Sequence, residues 1–115
     1  MKRPGQIVLF NFPQTDLRQG KPRPALIIGK LPGEYDDWLI CMISTRIHQT
    51  ISGFDELILK TDKDYEGTGL KEPSVIRVGR LAVVDGGVLL GLIGVIEKNR
   101  LNKVKRQLAD WILRS

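Results

Sequence analysis

RPGQIVLFNFPQTDLRQGKPRPALIIGK, residues 3–30, is the stretch that decides the fold. Its two ends are apolar and its middle is polar. Gln6–Asn11 is rich in β-branched and aromatic side chains, and Ala25–Gly29 is a second short apolar run. Both read as strands. Between them Pro13, Thr15, Asp16, Arg18, Gln19, Gly20, Lys21, Pro22, Arg23 and Pro24 are turn formers or groups that seek water. The loop is long for a hairpin, and loops of that length in a compact domain often carry function. Arg23 stands between two prolines. Each proline fixes its own φ, and the residue before a proline is pushed into the extended region. Arg23 is therefore expected extended at the mouth of a strand, with little backbone freedom left to lose. A guanidinium held that way suits a phosphate. The plain alternative is a surface arginine closing a loop, the commoner role of exposed arginines.

Outward from this stretch the chain continues as short strands. Pro32-Gly33 is a turn signal, and Trp38–Ile43 has the length and composition of a buried strand. A polar patch follows, from Ser44, Thr45, Arg46 and His48 to Gln49, Thr50 and Ser52. Leu57-Ile58-Leu59 reads as the centre of a short strand. Thr61–Gly69 reads as a loop; its Asp62, Asp64 and Glu66 do not fit a calcium-loop pattern. Ser74–Val84 is rich in β-formers. Asp85-Gly86-Gly87 predicts a hairpin into a core strand within Val88–Ile96. Gly91 and Gly94 mark a bulge or sharp bend there. From Lys98 to Leu113 the period changes: Leu101, Val104, Leu108, Trp111 and Ile112 form one stripe of an amphipathic helix. Lys98, Arg100, Lys103, Lys105 and Arg106 fall largely off it and read as a solvated face.

The chain has 115 residues, about one domain, with no visible repeat or linker. Eighteen Lys and Arg against thirteen Asp and Glu leave a net charge of +5, which draws a small domain to polyanions or to an acidic protein. The single Cys41 cannot form an internal disulfide and reads as a buried hydrophobe, which fits a reduced cytoplasmic protein. The start, Met1-Lys2-Arg3-Pro4, has no apolar signal stretch, and no segment approaches a bilayer span of about 20 residues. No membrane role is expected.

Pro4-Gly5-Gln6-Ile7-Val8, then Phe12-Pro13, then Arg23-Pro24-Ala25-Leu26-Ile27-Ile28 resembles the start of the MazF/PemK toxins, endoribonucleases of toxin–antitoxin pairs. The resemblance continues through Ile43-Ser44-Thr45-Arg46-Ile47 and Gly69-Leu70-Lys71-Glu72-Pro73-Ser74-Val75-Ile76-Arg77, and ends in a helix after Ile93-Gly94-Val95-Ile96. It covers nearly the whole chain in order. It implies a mainly β fold with a C-terminal helix: a small, SH3-like bent β-barrel of about five to seven strands, spanning residues 1–115 as one domain. It also implies a homodimer, single-stranded RNA as substrate and a cognate antitoxin as partner.

The chemistry open to this chain agrees. There is one histidine, no zinc-type cluster and no phosphate-cradling glycine loop. RNA cleavage needs neither a protein nucleophile nor a metal, because the neighbouring 2′-hydroxyl attacks the phosphate. The protein must align that hydroxyl, stabilise the phosphorane charge and assist proton transfer. No cofactor is expected. Arg23 supplies the charge, being a poor base at neutral pH. The resemblance puts the second catalytic group, a hydroxyl ending the third strand, at Ser44, with Thr45 just after it. If the strand ran through both, only one could face Arg23, and Ser44 is the better match. Asp16, Arg18, Gln19, Lys21, Arg46 and His48 are the candidate RNA contacts; Arg77 and Arg80 receive no role. The serine at 44, and Val78-Gly79-Arg80-Leu81 in place of the Asp-Gln pair of MazF proper, point to a divergent PemK-like branch. Two rival readings share the fold: a non-catalytic toxin of the CcdB kind, and an uncutting module that binds RNA or a partner.

Overall fold

A computed structural model of the chain describes residues 2–11 and 21–115. Among these, six strands form one antiparallel sheet: β1 (Gln6–Phe10), β2 (Arg23–Lys30), β3 (Asp37–Ser44), β4 (Glu56–Ile58), β5 (Ser74–Asp85) and β6 (Leu92–Val95). Their order across the sheet is β4-β5-β3-β2-β1-β6. A four-residue helix, α1 (Tyr65–Thr68), follows β4, and α2 (Lys98–Arg114) ends the chain. The sheet curls into a half-barrel, as the bent-barrel expectation requires.

Strict alternation along the central strands builds two cores, one on each face. Leu39, Cys41 and Ile43 of β3 join Ile7, Leu26, Ile76, Val78 and the buried α2 residues Leu101, Val104 and Leu108 on the inside of the curl. Trp38 and Ile40 join Val8, Phe10, Ala25, Ile27 and Leu89 on the other face. Burial also pushes the Cys41 thiol pKa up, so Cys41 is held protonated and packs as a small apolar side chain.

Bulges make the curl. The largest lies between β3 and β5. Cys41 pairs with Leu81 while the next residue, Met42, pairs with Arg77. Val78, Gly79 and Arg80 are extra on the β5 side, and the long strand bends sharply there.

The hairpin expected at Asp85-Gly86-Gly87 does not form. The chain leaves β5 in a single tight turn and crosses the second core face, where Leu89 packs. It then enters β6 at the opposite edge, paired with β1. The reason is that Trp38 and Ile40 need a cover, and residues 86–91 supply it. As an edge strand β6 is also far from being core: Leu92 is 65% exposed and Val95 50%. The edge strands β4 and β6 are not paired with each other. Helix α1, after β4, packs on β6, so closely that a Cβ on Gly94 would collide with the backbone of Gly67 and Thr68.

Two further expectations change. The end of the α2 stripe is not buried: Trp111 rests against the Phe54 ring at 5.9 Å, while Ile112 and Leu113 stay exposed. Arg100, expected on the solvated face, has a side chain only 13% exposed. Its Nε and Nη2 donate to the two oxygens of Asp64 at 2.8 and 2.9 Å, and Nη2 also reaches Asp62 at 3.1 Å. Nη1 donates to the Leu57 carbonyl at 2.7 Å. The acidic run of the 61–69 segment is thus a clamp that fixes α2 to β4 and α1.

This clamp has a pH signature. The Arg100 hydrogen bond holds the Asp64 carboxyl below its ordinary value. A depressed folded-state pKa adds stability above the unfolded pKa of about 3.9, and that stability is lost as pH falls through the folded value. Arg100→Met, which strands buried carboxylates, is expected to cost about 3–5 kcal/mol at neutral pH. Asp64→Asn should flatten the fall of the urea midpoint below roughly pH 5. A midpoint of Asp64→Asn that follows the wild type through this range would show that the clamp does not set the acid limit.

Candidate active site

The register of the central strands brings the two predicted catalytic groups together. Arg23 is the first residue of β2, extended as its flanking prolines require, and Ser44 is the last of β3. Ala25 pairs with Met42; the same register continued by two residues sets Arg23 opposite Ser44. Partners across an antiparallel pair lie on one face of the sheet.

Arg23 and Ser44 form a ridge between two hollows. The first has a volume of about 490 Å³. Its floor is apolar, from Leu9, Ile43, Leu70 and Ile93, and its rim carries Thr45, Lys71 and Glu72. The second has a volume of about 360 Å³ and is lined by Arg23, Met42, Ser44, Arg46, Gln49, Arg77 and Arg80. Arg23 is exposed, and Ser44 is half-buried. The Ser44 hydroxyl oxygen accepts the Arg46 backbone N–H at 3.1 Å. One lone pair is thereby engaged, and the hydroxyl proton remains able to donate to an anion.

The other predicted residues divide. Thr45 lines the first hollow beside Ser44, and the condition under which one of the pair would be turned away from Arg23, a strand running through both, is not met. The strand ends at Ser44, and past a strand end alternation no longer applies. Of Ser44 and Thr45, Ser44 alone borders both hollows. Arg46 enters the second. Lys21 is exposed at the foot of β2, and His48 is exposed in the turn Ile47–Gln49; neither lines either hollow. Asp16, Arg18 and Gln19 lie outside the described residues.

Arg77 and Arg80, given no role from sequence, both line the second hollow. Arg77 is buried. Its Nη1 donates to Gln49 Oε1 at 3.0 Å, and its Nε lies 3.4 Å from Asp55 Oδ2. Asp55 is anchored in turn by the N–H groups of Ile51 and Val78, at 2.9 and 3.0 Å. Three residues apart, Arg77 and Arg80 would face opposite sides of a regular strand. The bulge at residues 78–80 removes that alternation. No local signal marks the bulge except Gly79, the one residue of the three without a side chain.

Comparison with known proteins bears on the fold and the family. No curated protein sequence matches the chain. Among solved structures, an endoribonuclease in complex with its cognate antitoxin, from a mycobacterial species, superposes with a TM-score of 0.67 at 15% identity, over 97% of this chain and 95% of that one. The Mycobacterium tuberculosis toxin MazF-mt6 superposes with a TM-score of 0.60 at 19% identity, over 94% of each chain. At such identities the likeness establishes the fold. The family described as PemK-like, MazF-like toxin of type II toxin–antitoxin systems matches residues 3–112. With its curled sheet, its C-terminal helix and that match over nearly its full length, the chain belongs to the PemK-like, MazF-like toxin family.

Proposed function

We propose that Arg23 and Ser44 are the chemical centre of this toxin-family endoribonuclease, which cleaves single-stranded RNA without a metal. One observation carries the reading: a guanidinium and a hydroxyl, delivered by adjacent strand ends, border both an apolar and a cationic hollow. The apolar hollow suits a nucleobase, and the shared ridge suits the scissile phosphate beside it. In the reaction the 2′-oxygen bonds to phosphorus and the bond to the 5′-oxygen breaks. A 2′,3′-cyclic phosphate and a 5′-hydroxyl result. Arg23 stabilises the phosphorane through two parallel N–H bonds, the Ser44 hydroxyl donates a hydrogen bond to a phosphate oxygen, and the departing 5′-oxygen takes its proton from water. The 2′-hydroxyl proton needs an acceptor, and Glu72 is the carboxylate that the first hollow offers among the described residues.

The family match over residues 3–112 supports one PemK/MazF-like domain acting in the cytoplasm, where messenger RNA is found. The solved relative with its antitoxin supports a cognate antitoxin as partner. Leu90 and Leu92, 55% and 65% exposed on and beside edge strand β6, support a second copy of the chain as the cover of that edge. Among the described residues no helix is long and apolar enough to cross a membrane.

Incubation with RNA in EDTA, followed by mapping of the new ends, tests the reading. Wild type should leave cyclic phosphate ends. Ser44→Ala should lose roughly 10²-fold in rate or more, and Thr45→Ala at most a few-fold. Intact RNA, or ends carrying 5′-phosphates, would refute the mechanism. Equal losses in both variants would move the hydroxyl role away from Ser44 alone. Sedimentation of the same protein reads the dimer.

A further inference from the structure

We propose that the second hollow is a phosphate subsite for the nucleotide next to the cleaved linkage, with Arg46, Arg77 and Arg80 as its ligands. Its ligand rests on the ribonuclease reading; its residues do not, since Arg77 and Arg80 have no part in the chemistry above.

The walls decide what can enter. Four guanidinium groups line this hollow, with Met42 as its apolar contribution and no carboxylate among the described residues. Four like charges around about 360 Å³ repel one another unless an anion lies between them. Among the described residues Asp55 offsets one of them, from behind Arg77. A nucleobase would lose its hydration there without gaining apolar contact, whereas a phosphate gains charge-assisted hydrogen bonds.

Arg77 is also held in place before a ligand arrives. Its side chain is only 11% exposed, and Asp55, at 1%, is pinned by two backbone N–H groups. A guanidinium has five N–H donors; Asp55 and Gln49 engage its Nε and Nη1, and further donors remain for a ligand. The three-residue bulge then brings Arg80 round to the same hollow. Because Arg23 and Ser44 border both hollows, a strand with one phosphate on that ridge can set the adjoining phosphate among these arginines.

The test is the salt dependence of binding to a random-sequence 2′-O-methyl RNA oligonucleotide. This probe lacks the nucleophile and stays uncut. Each lost phosphate contact on a single strand should make the slope of log K against log salt shallower by about 0.7. Arg80→Gln and Arg46→Gln, both exposed positions, are expected to show that change with an unaltered urea midpoint. Arg77→Lys keeps the charge without the fork, so it should weaken binding and leave the slope nearly as it was. Slopes and affinities equal to wild type in both glutamine variants would overturn the subsite. So would an unchanged RNA slope with lost binding to a polyglutamate peptide, which would assign the hollow to an acidic protein segment. Wild-type cleavage of unmodified RNA, run in parallel, keeps the two readings apart. Uncut RNA with the slope change present refutes cleavage and retains the phosphate site. Cut RNA with unchanged slopes refutes the subsite alone.

Discussion

Arg23→Ala is expected to lower RNA cleavage by on the order of 10³-fold or more while leaving the urea midpoint within about 0.5 kcal/mol of wild type. Both halves of that result follow from where the side chain lies. Arg23 is exposed at the first position of β2, and no intramolecular ion pair to a described carboxylate holds it. Its removal therefore leaves none of the described residues as a buried, unpaired partner, which is the usual source of a large stability loss. In the proposed mechanism its contribution lies in the transition state, where negative charge gathers on the phosphorane oxygens. A preorganised donor at such a point is worth several kcal/mol, because the protein need not reorganise when the charge appears. Pro22 and Pro24 have already removed the backbone freedom that binding would otherwise cost. Arg23→Lys discriminates further. It retains the charge and loses the two parallel bonds, so it should recover only part of the rate. Full cleavage by Arg23→Ala on a short RNA would remove the chemical basis of the assignment.

Gly94→Ala is expected to be among the most damaging single-methyl changes in the fold, costing about 3 kcal/mol or more. The added carbon would collide with the carbonyl of Gly67 and with backbone atoms of Thr68. Those atoms cannot yield easily. Thr68 is fully buried, its hydroxyl donates to the Tyr65 carbonyl at 2.5 Å, and the segment just before it is clamped through Asp64 to Arg100. A shift of α1 would also drag Gly69–Glu72, part of the wall of the first hollow. Activity should fall along with stability. Gly29→Ala is the matching control. Nothing lies within 4 Å of a Cβ there, so its midpoint should stay at or slightly above wild type. Equal midpoints for the two variants would mean that the contact between α1 and β6 is not tight in solution.

What the sequence by itself determined was local. Short runs rich in apolar, β-branched and aromatic side chains at Gln6–Phe10, Trp38–Ile43 and Ser74–Val84 mark strands, because such side chains suit a pleated, buried surface whatever lies beyond them. The 3.6-residue period of α2 marks a helix for the same kind of reason, and two prolines hold Arg23 extended through bonded geometry alone. The resemblance then placed the hydroxyl at Ser44, and the strand register delivered it opposite Arg23. What only the tertiary structure decided depends on groups distant in the chain. Residues 86–91 cross the sheet instead of turning back because Trp38 and Ile40 need a cover. Arg100 turns inward because Asp62 and Asp64, some 36 residues earlier, await it. Arg77 and Arg80 meet in one hollow because β5 must bend around a core that β3 alone does not reveal. Periodicity describes a regular strand; a bulge departs from it to satisfy packing elsewhere, and so its consequences appear only once the sheet has closed.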